Sequence, residues 1–172
     1  MRLPVLRAIL VSIGLLLLAA PVLAQGGTAV ARLRGFEEVP ALSTPGGGRF
    51  EATINAAGTE LAYEVSYFNL EGNITQSHIH FAQKGVNGGI VVFLCSNLGN
   101  GPAGTQTCPA GPGSIHGTIH SADVIGASSQ GLGAGELFAV LRSIRAGIAY
   151  ANVHTDKFPG GEIRGQILFT PE

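Results

Sequence analysis

Apolar and polar side chains alternate with a period of two along most of this chain. A β-strand directs residues i and i+2 to the same face of a sheet, so this alternation predicts strands with one face in a core and the other in solvent. We predict strands over these segments: Ala29–Arg34, Arg49–Asn55, Leu61–Phe68, Ile74–Phe81, Ile90–Leu94, Ser114–His120, Ala149–Thr155 and Glu162–Phe169. The uninterrupted apolar run of Ile90–Leu94 indicates that this strand is buried on both faces.

One segment has the spacing of a helix instead. Its apolar residues recur at positions i, i+3, i+4 and i+7, namely Leu137, Val140, Leu141 and Ile144. Gly147 stands where such a helix would end. Short strands separated by turn residues are typical of antiparallel sheets. The sequence therefore predicts an all-β fold, an antiparallel Greek-key-like β-sandwich or barrel with one short helix.

The N-terminus has the pattern of a secretory signal peptide. Basic residues open it, Ala8–Ala20 is an apolar run, and small residues precede a cleavage position after Ala24. The apolar run is shorter than the roughly 20 residues that a transmembrane helix needs. We therefore expect residues 1–24 to be a cleaved signal peptide and residues 25–172 to form one domain. That domain would be secreted or periplasmic, with no stable membrane insertion after cleavage.

The mature chain is mildly acidic. The whole sequence has a net charge of −1, and removal of residues 1–24 takes away two arginines and no acid, which makes the mature net charge −3. Nucleic acids and anionic lipid surfaces are bound through clusters of Lys and Arg, and this chain is poor in both. The composition therefore argues against nucleic acid as a partner and leaves an unknown protein or small ligand.

Cys95 and Cys108 are the two cysteines of the chain. In an exported protein an even number of cysteines usually oxidises, so we predict a disulfide between them. The bridge would close the loop 96–107, which is rich in Gly, Pro and Asn and has no apolar period. The alternative, a thiolate metal or redox pair, is disfavoured because the separation matches no common ligand spacing.

Polar residues on three of the predicted strands fall on matching faces. The alternation groups them as follows: His78 with His80, Asn152 with His154, and Glu162 with Arg164 and Gln166. His116 and His120 also share a face, but they lie roughly 13 Å apart along one strand, which is too far to bind one ion directly. We expect His116 and His120 to face solvent.

Two interpretations of the polar face remain open. Neighbouring strands lie about 4.8 Å apart, so His78, His80 and His154 can converge on one ion. Three imidazoles suit Cu(II), Zn(II) or Ni(II), with Glu162 as a fourth ligand or as an acceptor that fixes a histidine tautomer. In the other interpretation the histidines are members of a hydrogen-bonded network that includes Asn152, Glu162 and Arg164, and no metal binds.

The sequence contains no recognisable catalytic motif. Gly-x-Ser-x-Gly, a phosphate loop and His-Glu-x-x-His are all missing. Ser77 beside His78 is not a catalytic dyad, because adjacent residues of a strand point to opposite faces. We assign no catalytic residues, and the sequence favours a protein that is not an enzyme without deciding the question.

Four motifs together carry a family resemblance. They are Gly35–Pro40, Ser77–His80, Gly117–Asp123 and Asn152–Gln166, the last containing Phe-Pro-Gly-Gly-Glu-Ile-Arg-Gly-Gln. On these motifs the mature chain resembles a CHRD domain, the module named from chordin and widespread in exported bacterial proteins. In chordin the module belongs to an extracellular antagonist of growth-factor ligands. The resemblance implies a single extracytoplasmic β-sandwich-like domain and implies no reaction.

A weaker resemblance bears on metal chemistry. Tyr67–His80, in which a glycine-containing turn leads into His-x-His, is similar to a strand of copper,zinc superoxide dismutase. The bridging and zinc-binding histidines with an aspartate, which complete that enzyme's dimetal site, do not follow His80. This resemblance implies at most a related sandwich, because a shared fold does not carry function by itself.

We therefore expect an exported CHRD-type protein that acts as a non-catalytic binding or interaction module with an unknown ligand. The first alternative is an extracytoplasmic protein that binds copper or zinc through His78, His80 and His154. The second is an oxidoreductase of the superoxide dismutase kind, which needs a redox metal with an open coordination position. The leading hypothesis requires no cofactor, whereas both alternatives require a metal.

Overall fold

Antiparallel strands are the dominant regular structure of the computed structural model, which describes residues 26–172. The predicted signal peptide lies outside these residues. The strands are β1 Gly27–Arg34, β2 Gly47–Ile54, β3 Leu61–Phe68, β4 Ile74–Phe81, β5 Gly89–Ser96, β6 Gly113–Ile119, β7 Ala149–Thr155, β8 Ile163–Gln166 and β9 Leu168–Pro171. The helical elements are α1 Leu137–Arg145 and the 3₁₀ turns Gly35–Glu37, Ser121–Asp123 and Ser128–Gln130.

All nine strands belong to one sheet that nearly closes into a barrel. The strand order is β5-β4-β7-β8-β1-β2-β3-β6, and β9 pairs with β1 beside that path. Across the gap between the two end strands, the Tyr63 hydroxyl donates a 3.0 Å hydrogen bond to the Leu94 carbonyl of β5. The Gln106 side chain donates to the Tyr63 hydroxyl and to the His116 carbonyl of β6. The described chain therefore has the predicted all-β antiparallel fold with one short helix.

The alternation of side chains decides which residues enter the core. On β6, Ile115 and Ile119 are buried, while His116 and His120 on the opposite face are exposed, as predicted. Most of β5 is buried on both faces, as its apolar run indicates. The apolar stripe of α1 packs into the core, and Gly147 follows the helix with φ 68°, the left-handed conformation that ends helices. None of the helices in residues 26–172 has the length and apolar character that crossing a membrane requires.

The predicted last strand is divided in two. β8 pairs with β7 and, at Arg164, with β1, whereas β9 pairs with β1 alone, so the pairing with β7 ends at Ile167. The Ile167 side chain is fully buried, and its amide donates to the Ala149 carbonyl. The prediction missed this break because Ile163, Ile167 and Phe169 keep the apolar alternation through it, although Leu168 interrupts the polar positions.

A disulfide joins Cys95 at the end of β5 to Cys108 in the following loop, as predicted. It closes the loop 96–107, and both cysteines belong to the hydrophobic core. In the loop-closure model, a cross-link over a loop of this size stabilises the folded state by about 3 kcal/mol.

β7 is buried along both of its faces, which the alternation of its sequence does not predict. One face, which includes Ala151 and Val153, belongs to the hydrophobic core. The other face carries Tyr150, Asn152 and His154, and three loops cover it. These loops, which we call the cover loops, are residues 35–46, 82–88 and 156–161. The polar face of β7 is therefore enclosed by protein.

Gly161 is the residue at which the third cover loop approaches the sheet most closely. It has φ 127°, and a Cβ there would lie 2.6 Å from Glu38 Oε1 and 2.9 Å from Asn152 Nδ2. Gly160 has no atom within 4 Å of its Cβ position and no positive φ. The turn therefore needs glycine at position 161 and not at position 160.

We expect Gly161→Ala to lower the free energy of unfolding by about 1 to 3 kcal/mol, because alanine is strained at this φ and its Cβ displaces two buried polar groups. The matched control is Gly160→Ala, which should unfold like the parent. Urea denaturation of the three proteins measures the effect. Equal midpoints for the two variants would contradict the role assigned to Gly161.

Candidate functional site

Strands β4 and β7 bring His78, His80 and His154 together beneath the cover loops. One ring nitrogen from each histidine lies within 4.8 Å of the others. His78 pairs with Asn152 across the β4–β7 ladder, which sets Asn152 between the histidines. The structure thus assembles the three residues that the alternation placed on one polar face, together with the asparagine beside them. We call these four residues the His/Asn cluster.

The His/Asn cluster is cut off from water. His78 is fully buried, and His80 and His154 are 7% and 6% exposed. Burial, reinforced by the two neighbouring histidines, lowers the pKa of His78 from 6.5 to about 2. Burial lowers the pKa of His80 to about 4 and also lowers the pKa of His154. All three imidazoles are therefore neutral at physiological pH.

Two backbone carbonyls of the cover loops fix the tautomers of two histidines. His80 Nδ1 lies 2.9 Å from the Gly88 carbonyl oxygen, and His154 Nδ1 lies 3.0 Å from the Pro159 carbonyl oxygen. A carbonyl oxygen only accepts, so each Nδ1 carries the proton. The Nε2 atom of each neutral ring is then a bare lone pair directed into the His/Asn cluster.

The inward-facing atoms of the cluster crowd around Asn152. Asn152 Oδ1 lies 3.1 Å from His80 Nε2 and 3.0 Å from His154 Nε2. His78 Nδ1 lies 3.1 Å from His154 Nε2. The other nitrogen of His78 is buried without a hydrogen-bond partner, and its ring packs edge-to-face on Phe93 with centroids 4.4 Å apart. The cluster is therefore dense in acceptors and poor in protons.

Arg164 holds a cover loop over the cluster. Its guanidinium donates to Asn87 Oδ1 at 2.8 Å and to the Val86 carbonyl at 2.6 Å. The same group lies 3.4 Å from the centroid of the Tyr150 ring, which in turn stacks on His80 with ring centroids 4.6 Å apart. Arg164 thus belongs to the polar network, through the loop and the aromatic stack and not through an ion pair with Glu162.

Glu162 lies outside the His/Asn cluster, although the sequence offered it as a fourth ligand or a histidine partner. Its carboxylate accepts hydrogen bonds from four groups, none of them a histidine: the hydroxyls of Thr44 and Thr155 and the amides of Glu71 and Gly72. Glu162 precedes the first residue of β8, so the alternation of that strand does not determine where its side chain points. Glu162 ties loops together and makes no polar contact with the histidines.

Glu38 is a buried group that the analysis of the sequence did not single out. It is 8% exposed, and its Oε1 atom has no hydrogen-bond partner. Burial raises the pKa of Glu38 from 4.5 to about 7, although the positive charge of Arg164 opposes the shift. Gly-Phe-Glu-Glu-Val-Pro is a loop motif without periodicity, so only the fold reveals that this side chain turns inwards.

Comparison with known protein families gives one match. The model of the CHRD domain matches residues 29–167, which include Glu38 and all four members of the His/Asn cluster. Neither the curated proteins nor the solved structures yield a match to this chain.

We expect Glu38→Gln to gain stability relative to the parent as the pH rises. The folded pKa of about 7 exceeds the ordinary value of 4.5, so the stability that protonated Glu38 contributes is fully present below pH 4.5 and is lost as the pH rises through 7. Glutamine has no proton to lose, so the stability difference should move by about 2 to 3 kcal/mol between pH 5 and pH 8 in favour of the variant.

Urea denaturation of the parent and of Glu38→Gln at both pH values measures this difference. Glu64→Gln, on the exposed face of β3, is the control and should show no comparable change. A difference that stays constant between pH 5 and pH 8 would show that Glu38 is ionised in the fold.

Proposed function

This chain belongs to the CHRD domain family, and on that premise we propose that it is an exported binding module without catalytic activity of its own. The signal-peptide pattern and the disulfide support export, because disulfides persist in oxidising compartments outside the cytoplasm. The family match over residues 29–167 supports a binding role, since it extends over nearly all of the mature chain.

The observation that carries the non-catalytic part of the proposal is the burial of the polar groups. A catalytic side chain must touch its substrate, and the titratable His/Asn cluster lies beneath the cover loops with its histidines at most 7% exposed. A superoxide dismutase-like reaction also needs a metal position that substrate can reach. Because the His/Asn cluster is buried, it is better suited to stabilising the fold or holding a bound group than to converting a substrate.

Export is tested on the full-length chain expressed in a bacterial host. We expect the protein outside the cytoplasm, with a mass that corresponds to an N-terminus at Gln25. Unfolding without a reductant should expose no free thiol, because Cys95 and Cys108 are paired. A cell-associated protein that retains residues 1–24, or one with two free thiols, would contradict export.

As a second candidate function, the domain binds a divalent metal ion through His78, His80 and His154. The specific observation in favour is that one nitrogen from each of three neutral histidines lies within 4.8 Å of the others. Metal-binding histidines commonly donate their second ring N–H to a carbonyl, and His80 and His154 both do so. Neutral imidazoles suit Zn(II) and Cu(II).

Binding requires a small contraction of the three-histidine set. Four-coordinate ions with bonds of about 2.0 to 2.1 Å hold their donor atoms roughly 3.3 Å apart. His78 Nδ1 and His154 Nε2 already lie 3.1 Å apart, whereas the set as a whole spans up to 4.8 Å. An inward movement of one ring would complete the site.

Calorimetric titration of the mature chain with Zn(II) and with Cu(II) tests this candidate. His154→Ala should weaken binding far more than His116→Ala, whose position is exposed on β6. The pKa of His80 is lowered to about 4, so affinity should largely persist from pH 7.5 to pH 5.5, where exposed histidines become protonated. Binding that follows His116, or that disappears at pH 5.5, would identify weak surface association instead.

A further inference from the structure

We propose that Asn152 supplies the fourth ligand of the metal site, so that one divalent ion is held by three imidazole nitrogens and Asn152 Oδ1 in a closed shell. This inference rests on the metal-binding function proposed above. It replaces Glu162 as the fourth ligand, and it assigns to Asn152 a role beyond membership of a polar network.

The positions of the ring protons determine which atoms of the His/Asn cluster can attract one another. His80 and His154 each carry their one proton on Nδ1, where a carbonyl accepts it. Their Nε2 atoms therefore have none, and Asn152 Oδ1 is also an acceptor. Two contacts of 3.0 and 3.1 Å in the His/Asn cluster then bring lone pair against lone pair with no hydrogen between them. Buried acceptors in such contact are costly unless a positive group lies among them.

Protonation of an imidazole is a poor way to supply that positive group. A second proton on His80 or His154 would place a charge where water cannot solvate it, and the burial of these rings opposes it. His78 can donate a hydrogen bond from Nδ1, but only to His154 Nε2. That single bond leaves the contact between His80 Nε2 and Asn152 Oδ1 without a proton.

Exchanging the positions of Oδ1 and Nδ2 of Asn152 would remove the contact between acceptors at the imidazoles, but it would create a new contact at Glu38. Reversal would let Nδ2 donate to the two imidazoles, but it would turn Oδ1 to the side now occupied by Nδ2. Glu38 Oε1 lies on that side, since both atoms are within 3 Å of the Cβ position of Gly161, at 2.6 and 2.9 Å. Oδ1 would then depend on a proton of the Glu38 carboxyl, and it would face another buried acceptor wherever that carboxyl is ionised.

A cation among the four atoms would accept the lone pairs that face one another there. Successive atoms in the series His80 Nε2, Asn152 Oδ1, His154 Nε2 and His78 Nδ1 lie 3.1, 3.0 and 3.1 Å apart. These separations are close to the roughly 3.3 Å between donor atoms in a tetrahedral zinc shell. Asn152 Nδ2 then stays on the side of Glu38 Oε1, which makes no hydrogen bond in the structure. The Gly88 and Pro159 carbonyls orient two of the imidazoles.

The closing experiment is a calorimetric titration with Zn(II) at pH 7.5. Asn152→Ala should weaken binding by roughly 10- to 100-fold, as loss of a ligand or its orienting partner does. Asn152→Asp, which retains an oxygen at the same position, should restore much of the affinity. The matched control is Gln76→Ala, which removes an amide opposite His154 on the same face of β4 and should bind like the parent.

A second measurement uses the parent alone and does not depend on the folding of a variant. In ¹⁵N-labelled protein, Zn(II) should shift the side-chain amide resonance of Asn152 and leave the Nδ1 protons of His80 and His154 in place. An unchanged Asn152 resonance in a protein that binds zinc, or an Asn152→Ala variant that binds like the parent, would overturn this proposal and leave the three-histidine site intact. A parent that binds no metal would remove the site itself.

Discussion

A polar strand face that is closed off from water is the constraint on which this structure depends. β7 contributes one face to the core and lies under the cover loops on the other, so its polar side chains cannot be hydrated. Each buried donor and acceptor must then find a partner within the protein, or the fold loses the free energy of an unmade hydrogen bond. Most contacts of the candidate site supply such a partner to a buried donor or acceptor.

These hydrogen-bond partners come from separate segments of the chain. Backbone carbonyls of Gly88 and Pro159 accept hydrogen bonds from histidines, and Arg164 fastens a loop through Asn87 and the Val86 carbonyl. What these partners leave unsatisfied is informative, because Glu38 Oε1 and His78 Nε2, two buried atoms without a hydrogen-bond partner, belong to groups in or beside the His/Asn cluster. An ion that accepts lone pairs would offset the excess of acceptors among these groups. The chemistry of the site is thus a consequence of its enclosure.

The sequence predicted those parts of the molecule that depend on local periodicity. A period of two identified the strands and placed His78, His80 and His154 on one face, because side chains alternate strictly in a sheet. It did not predict that loops would cover that face, since the cover depends on contacts between segments far apart in the chain. For the same reason Glu38 escaped notice, and the alternation did not determine which groups Glu162, one residue before β8, would contact.

The three cover loops also determine how quickly the enclosed cluster can exchange with its surroundings. They come from separate parts of the chain, yet Asn87 connects two of them by donating to the Val39 carbonyl. No one loop can lift without breaking contacts to a neighbour or to the sheet, so access for water, protons or ions requires a cooperative local opening. The residence time of anything held inside is therefore set by the frequency of that opening, and not by diffusion or by affinity alone.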